Sequence, residues 1–494
     1  MKSSMKGMLL RVACVSTILC GAGSTGFAQL PQDALRLATP GIGVGARALG
    51  MGDAYTGVAS DYSAIFWNPA GLAQIQRNEF SLGMSYLNNK DNSTFFGNQE
   101  SYTDNATDLN ALGVVYPVPV RRGSLVLAFG FDRQADFTSD MTFNGFNPNS
   151  SVIQSLAPNG QPYPPDISLA ENLNLAIADT LIGKFFSPIH DSLTQIGTAI
   201  SGKGLNNFSV AGGVEMSKNL YVGLTLTYLS GGYRYDRTYR EQDNLGIYRN
   251  PILYHGTPVA FDLKELLLQE YIDDDISGVN AKFGLLYTVP NKFRLGVTIK
   301  TPTAFNIKET YGQTGTSTFS TPDTNGNYSY GPFSSTGAVE YDVHTPWVFG
   351  LGASVILNEL VLSGDVEYTD WTELEFANAP ADLIAINDQF KTLYHGTANL
   401  RGGAEYEIRD LGLRVRGGFI YNPSPYEGAP STFNQKYVTG GLGFQLGEQA
   451  MLDLAFAHGW WKDARDNYDP TYGLSQTAED IATNNLIMTF SYRF

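Results

Sequence analysis

The sequence predicts an all-β protein: a transmembrane antiparallel β-barrel of about 14 strands with an N-terminal lumenal hatch. Three observations predict it. Charged residues are 16% of the chain, while glycines number 53 and aromatics reach 12%; soluble domains carry roughly 25% charge. After position 28 no run of about 18 apolar residues occurs, so no helix is available to span a bilayer. Apolar–polar alternation recurs instead over segments of about ten residues, the length of a tilted membrane strand.

The chain opens on a targeting segment. In "MKSSMKGMLLRVACVSTILCGAGSTGFAQ" the basic residues Lys2, Lys6 and Arg11 precede an apolar stretch and then small residues. Gly26 and Ala28 suit the recognition positions of a signal peptidase, which makes residues 1–28 a signal peptide and Gln29 the mature start. Thr17-Ile18-Leu19 lacks the small residue that a lipid-attachment site wants before Cys20. Cys14 and Cys20 both lie in this segment, so disulfides, thiol catalysis and Cys-ligated metals are excluded from the mature chain.

Residues 29–77 precede the first strand and differ from everything after it. Their glycines, in "GIGVGARALGMGDAY", imitate a nucleotide loop, but no βαβ unit surrounds them and the third glycine of the motif is displaced. In "SAIFWNPAGLAQI" Pro69 removes a backbone donor and biases Asn68 away from helical dihedrals, and Gly71 adds a second break. The lumen of about fourteen strands is too wide for its own side chains to fill. This apolar, broken segment is therefore expected to plug it.

Residues 78–494 carry the strands. In "NLIMTFSYRF" Leu486, Met488, Phe490, Tyr492 and Phe494 share one face; in "LYVGLTLTYL" Leu220, Val222, Leu224, Leu226 and Tyr228 oppose Gly223, Thr225 and Thr227. Asp365, Glu367, Arg401, Glu405, Arg414, Arg416, Asp453 and Arg493 all fall on the polar face, as lumen residues should when the apolar face meets lipid. Strands are expected to begin near residues 78, 109, 123, 206, 219, 276, 292, 345, 359, 395, 411, 436, 449 and 485. Short turns, such as Ser217-Lys218-Asn219, alternate with long loops, notably 134–205 and 232–275. An even strand count places both termini in the periplasm of a bacterial outer membrane.

Two long loops show helical apolar spacing and are expected to form extracellular helices, around 167–200 and 261–272. Phe185 and Phe186 in the first, and Leu263, Leu266 and Leu267 in the second, are candidate contacts for an apolar ligand. The run Asp273-Asp274-Asp275 reads as a solvated loop. The histidines, His190, His255, His344, His395 and His458, stand singly, so neither a metal nor another cofactor is expected. There is no Gly-x-Ser-x-Gly elbow to suggest an enzyme. A net charge of −16 argues against nucleic acid.

Gly50-Met51-Gly52, Ala54-Tyr55 and Asn68-Pro69-Ala70-Gly71-Leu72, with the strand count and the terminal Phe494, resemble the FadL-type (FadL/TodX) family of outer-membrane transporters for hydrophobic compounds. The resemblance implies passive transport of hydrophobic molecules, long-chain fatty acid-like or otherwise apolar. It implies that the N-terminal segment is a hatch, with Gly50 and Gly52 in its motif and Asn68, Pro69 and Ala70 at its turn, and that a kinked third strand opens a side exit. The expected partners are a hydrophobic small-molecule ligand, outer-membrane lipid, and the outer-membrane assembly machinery through Phe494. The wording "GARALGMG…AIFWNPAGL" is similar also to the PorV-type branch, whose barrels serve type IX protein secretion; that is the alternative function. Lumen residues Arg401, Arg414 and Arg416 are read either as holders of a ligand carboxylate or as partners of Glu405, Glu367 and Asp365 in a structural network.

Overall fold

A computed structural model of the 494-residue chain describes residues 31–162, 169–179, 183–249, 253–254, 257–258, 262–323 and 325–494. The expected signal peptide lies outside the described residues. Beyond the N-terminal segment the chain forms a closed 14-strand antiparallel barrel. In chain order its strands are β1 (Glu79–Phe95), β2 (Asn98–Val118), β3 (Leu125–Asp136, resuming at Ser139–Asn147), β4 (Leu193–Ser217) and β5 (Leu220–Gln242). Then follow β6 (Leu263–Val289), β7 (Phe293–Lys300 and Ala304–Phe319), β8 (Ser329–His344 and Val348–Leu357), β9 (Leu360–Asp370) and β10 (Gly396–Ile408). The last are β11 (Leu413–Asn422), β12 (Gln435–Leu446), β13 (Ala450–Asp466) and β14 (Gln476–Arg493). The barrel closes where β1 pairs with β14, from Glu79↔Arg493 to Thr94↔Ala478.

The alternation read from the sequence sets the two faces. Leu224, Leu226, Phe283, Leu285, Leu351, Phe419, Leu486 and Met488 are exposed on the outer wall, where lipid rather than water is the solvent. Their neighbours Gly223, Gly284, Gly352 and Gly418 face inward and meet the N-terminal segment. Phe494 joins this ring of short turns: its backbone N–H donates to the Asn78 carbonyl at 3.0 Å.

Three expectations are corrected. The described part of 261–272 does not form a helix; from Leu263 on it is the outer half of β6, laddered to β5 and β7. A Leu-Leu-Leu run satisfies either period, and two neighbouring strands decide for extension. Around 167–200 the described helix is limited to Leu169–Asn172; a hairpin of Ile177–Asp179 with Lys184–Phe186 follows, and β4 begins at Leu193. Asp273, Asp274 and Asp275 are also part of β6, with Asp274 buried and Asp275 exposed.

Candidate functional site

The hatch is built from α1 (Pro31–Ala38), α2 (Ala46–Gly50), α3 (Ala64–Trp67) and a 3-10 turn (Pro69–Gln74). The broken motif makes the last junction. Asn68 is extended and fully buried; its Oδ1 accepts from Ala70 N–H at 3.1 Å, and Pro69 starts the turn without needing a donor. The Asn68 amide donates to the Thr56 carbonyl within the hatch (2.9 Å) and to the Leu285 carbonyl on β6 (3.1 Å), joining plug to wall. Asn68→Ala is expected to cost about 1–3 kcal/mol, since it leaves buried carbonyls unpaired. Faster proteolysis of the hatch in the folded barrel would show it, and unchanged cleavage would refute it.

Inward glycines receive the hatch backbone. A Cβ on Gly213 would stand 2.9 Å from Ala73 N and from the Pro69 carbonyl; one on Gly223 would overlap Pro69 and Ala70. Gly52 has φ +62, and a Cβ there would stand 2.6 Å from the Gly402 carbonyl and from Phe419 N; Gly50 packs on Arg416 and Gly441. Side chains add ties: Thr56 N–H donates to Asp365 (2.7 Å), Tyr62 N–H to Glu79 (2.8 Å), and Ala46 N–H to Thr489 (3.0 Å). Burial pushes the hatch residue Asp53 up to about 6, against the pull of Arg401.

The three arginines all have partners from the chain itself. Arg401 pairs with Glu367 at 3.0 Å and stands 5.6 Å over the Trp67 ring. Arg416, with a fully buried side chain, pairs with Glu405 (2.7 Å) and Asp453 (2.6 Å), and Glu405 also takes Arg47 of the hatch at 2.7 Å. Arg414 pairs with Glu407 at 3.1 Å, a partner the sequence reading did not name.

Above the hatch lie two apolar clusters. The outer one fills the mouth of the barrel, with Phe143, Leu169, Leu173, Phe185, Tyr239, Leu263, Leu266 and Leu268. Thus Phe185, Leu263 and Leu266 do come together, whereas Leu267 falls on the other face of β6 and Phe186 is half-buried in its hairpin. The inner cluster surrounds α1 with aromatic rings, among them Phe137, Tyr233, Phe305, Trp371 and Phe390, and Tyr235 touches both clusters. The first described helix therefore sits inside the barrel beside Ile276, near the middle of β6, and not at the short-turn end.

The inner cluster reaches the wall at Phe137, where β3 breaks. A bulge between Arg133 and Ala135 bends the strand, and near it on β4 Lys203 takes a left-handed φ of +70. The β2–β3 ladder covers only Ala111↔Asp132 to Val118↔Leu125. Beyond it the outer segment of β3 pairs with β4 alone, from Ser139↔Ser201 to Asn147↔Leu193. Its free carbonyls are met by side chains of β1 and β2: Asn89 reaches Thr138 (3.4 Å), Ser93 reaches Thr142, and Asn98 reaches Asn144 (3.0 Å). Between this segment and residues 98–110 of β2 the wall has no main-chain ladder, and side chains bridge this gap in the pairing.

A family model described as outer membrane protein transport protein (OMPP1/FadL/TodX) matches residues 197–494. Among solved structures, the P. putida toluene transporter TodX is 14% identical, with 92% of this chain and 99% of that one covered at a TM-score of 0.53. A Pseudomonas aeruginosa FadL homologue is 13% identical over 93% of this chain and 99% of its own, with a TM-score of 0.54. The CymD monoaromatic hydrocarbon channel is 13% identical over 92% and 98%, with a TM-score of 0.50. No curated protein sequence matches. At these identities the likeness to the solved structures is one of fold.

Proposed function

We propose that this chain, which belongs to the OMPP1/FadL/TodX family of outer-membrane transport proteins, carries hydrophobic solutes passively from the mouth of the barrel to the gap beside β3. The family is one of transporters, not of enzymes, and its location is the outer membrane. The observation that carries the reading is the broken β2–β3 ladder beside a buried aromatic cluster, over a hatch seated against the wall. An apolar solute leaves water in the outer cluster, at about 25 cal/mol per Å² of surface buried. It passes Tyr235 into the inner cluster, displacing packing around α1 and its leucines, Leu35 and Leu37. The gap at Phe137 then leads sideways. In this reading the short turns and Phe494 face the periplasm, and the solutes range from long-chain fatty acid-like molecules to neutral hydrocarbons.

The test uses cells without other channels for apolar compounds. Leu266→Ser with Leu268→Ser should lower uptake of an apolar tracer several-fold in barrels that keep their heat-modifiable gel shift, while Leu267→Ser should leave it unchanged. Equal uptake by all three barrels would sink the entry route. Unchanged uptake with secreted proteins held in the periplasm would favour the secretion alternative.

A further inference from the structure

The rim of the gap carries carboxylates on both sides. On β2 the lumen-facing row includes Asp104, opposite Asn89, and Asp108, opposite Ser85. Facing them from β3 are Asp136 and Asp140. Asp104 and Asp140 are within hydrogen-bonding reach of each other across the gap, and so are Asp108 and Asp136. Behind this rim Asp91 of β1 is buried with no donor on either carboxylate oxygen, and its neighbour is the Glu479 carboxyl of β14.

The cations nearby are already engaged. Arg133 serves Asp108 (3.4 Å) and Asp136 (3.2 Å) together. Arg465 holds Glu479 through both oxygens, at 3.1 and 3.2 Å, and Asp463 lies beside them. Lys203 lends the rim only its carbonyl, to Arg133 at 3.2 Å, and its amine pairs with Asp273. Carboxyls crowded in this way either repel one another or hold a proton between them. In both states the rim offers an arriving anion repulsion and, among the described residues, no unengaged cation on its lumen face; Lys90 of β1, opposite Thr103, is exposed on the outer face.

We infer that this acidic rim selects against anions, so that the solutes leaving through the gap are uncharged hydrophobic molecules rather than carboxylates. The inference rests on the proposed lateral route and narrows its substrate class. Apolar groups remain for a neutral solute at the same place: Ala135 and Phe137 are buried on the β3 side, and Ala106 lies between Asp104 and Asp108. Partly shielded like charges a few ångströms apart repel enough to change a rate about tenfold or more.

The test compares two probes of equal chain length, dodecanol and dodecanoate, taken up at pH 7.5 by cells whose only channel for apolar compounds is this barrel. Dodecanol uptake should exceed dodecanoate uptake about tenfold. Asp104→Asn with Asp108→Asn and Asp140→Asn should raise dodecanoate uptake about as much, leaving dodecanol within about twofold. Should the triple variant fail to assemble, Asp104→Asn alone, at a half-buried position, should shift the ratio in the same direction. Equal uptake of the two probes by the unaltered barrel would overturn the inference, as would a ratio that the substitutions leave unmoved. If neither probe enters faster than in cells without the barrel, the transport reading itself fails.

Discussion

Gly403→Leu is expected to expel the hatch from its seat, whereas Gly402→Leu, one residue away on β10, is expected to be tolerated. A Cβ on Gly403 would overlap the backbone of Met51, and backbone cannot swing aside as a side-chain tip does. A Cβ on Gly402 meets nothing within 4 Å, and a leucine there adds apolar surface to a lipid-facing wall. Ordinary overpacking costs about 1–3 kcal/mol; displaced hatch backbone should bring the cost to the top of that range or beyond it. The unseated barrel should pass small hydrophilic solutes in a liposome swelling assay and lose hatch residues to protease. Identical behaviour of the two variants would mean that the hatch is not seated by contact with the wall.

This seat explains which part of the glycine content was legible and which was not. Composition pointed to a barrel, but glycines on the inward face look like gaps in an alternating pattern until a second element is placed against them. Gly223, for example, reads only as one more residue of the face opposite Val222 and Leu224, and the structure sets Pro69 and Ala70 against it.

Strand beginnings divide by the same physics. Those at the short-turn end came out within about three residues: 78 against Glu79, 219 against Leu220, 292 against Phe293, 359 against Leu360 and 449 against Ala450. Five of the seven beginnings at the opposite end fall too late, 109 against Asn98, 206 against Leu193, 276 against Leu263, 345 against Ser329 and 485 against Gln476, while 395 and 436 lie within one residue of Gly396 and Gln435. The outward face is apolar only where it touches lipid. Past Val279 on β6 it becomes Ser277, Asp275 and Asp273, and the alternation that announces a membrane strand disappears while the ladder continues.

At the site, the Asn68 turn could be read from Pro69 and its neighbours because capping is local. The break in β3 could not be placed, although two signals mark it. The polar stretch Asp136-Phe137-Thr138-Ser139-Asp140 interrupts a strand pattern, and Gly202 and Gly204 flank Lys203 on the partner strand. Both are ordinary turn signals taken singly. Only their pairing across the β3–β4 ladder turns them into a bend in the wall. The candidate apolar residues were grouped less well, because Leu266 and Leu267 share a helical face but stand on opposite faces of a strand.

Arg416→Met should be among the most destabilising single changes in the barrel. From β11 the guanidinium joins Glu405 of β10 to Asp453 of β13, reaching past β12, and Arg47 of the hatch grips the same Glu405 at 2.9 and 2.7 Å. Methionine fills much of the volume but leaves Asp453 without its cation and Glu405 with one of two, at a position shut off from water. Breaking a buried pair in this way costs about 3–5 kcal/mol, which a urea titration followed by the heat-modifiable gel shift would register as a lower midpoint. Arg416→Lys should recover little, since one ammonium cannot reproduce a planar fork that reaches two carboxylates. Asp453→Asn added to Arg416→Met should recover more, because it removes the stranded charge. A stable Arg416→Met barrel with selectively poorer dodecanoate uptake would instead make Arg416 a receiver of ligand carboxylates, the opposite of what its two partners and the acidic rim lead one to expect.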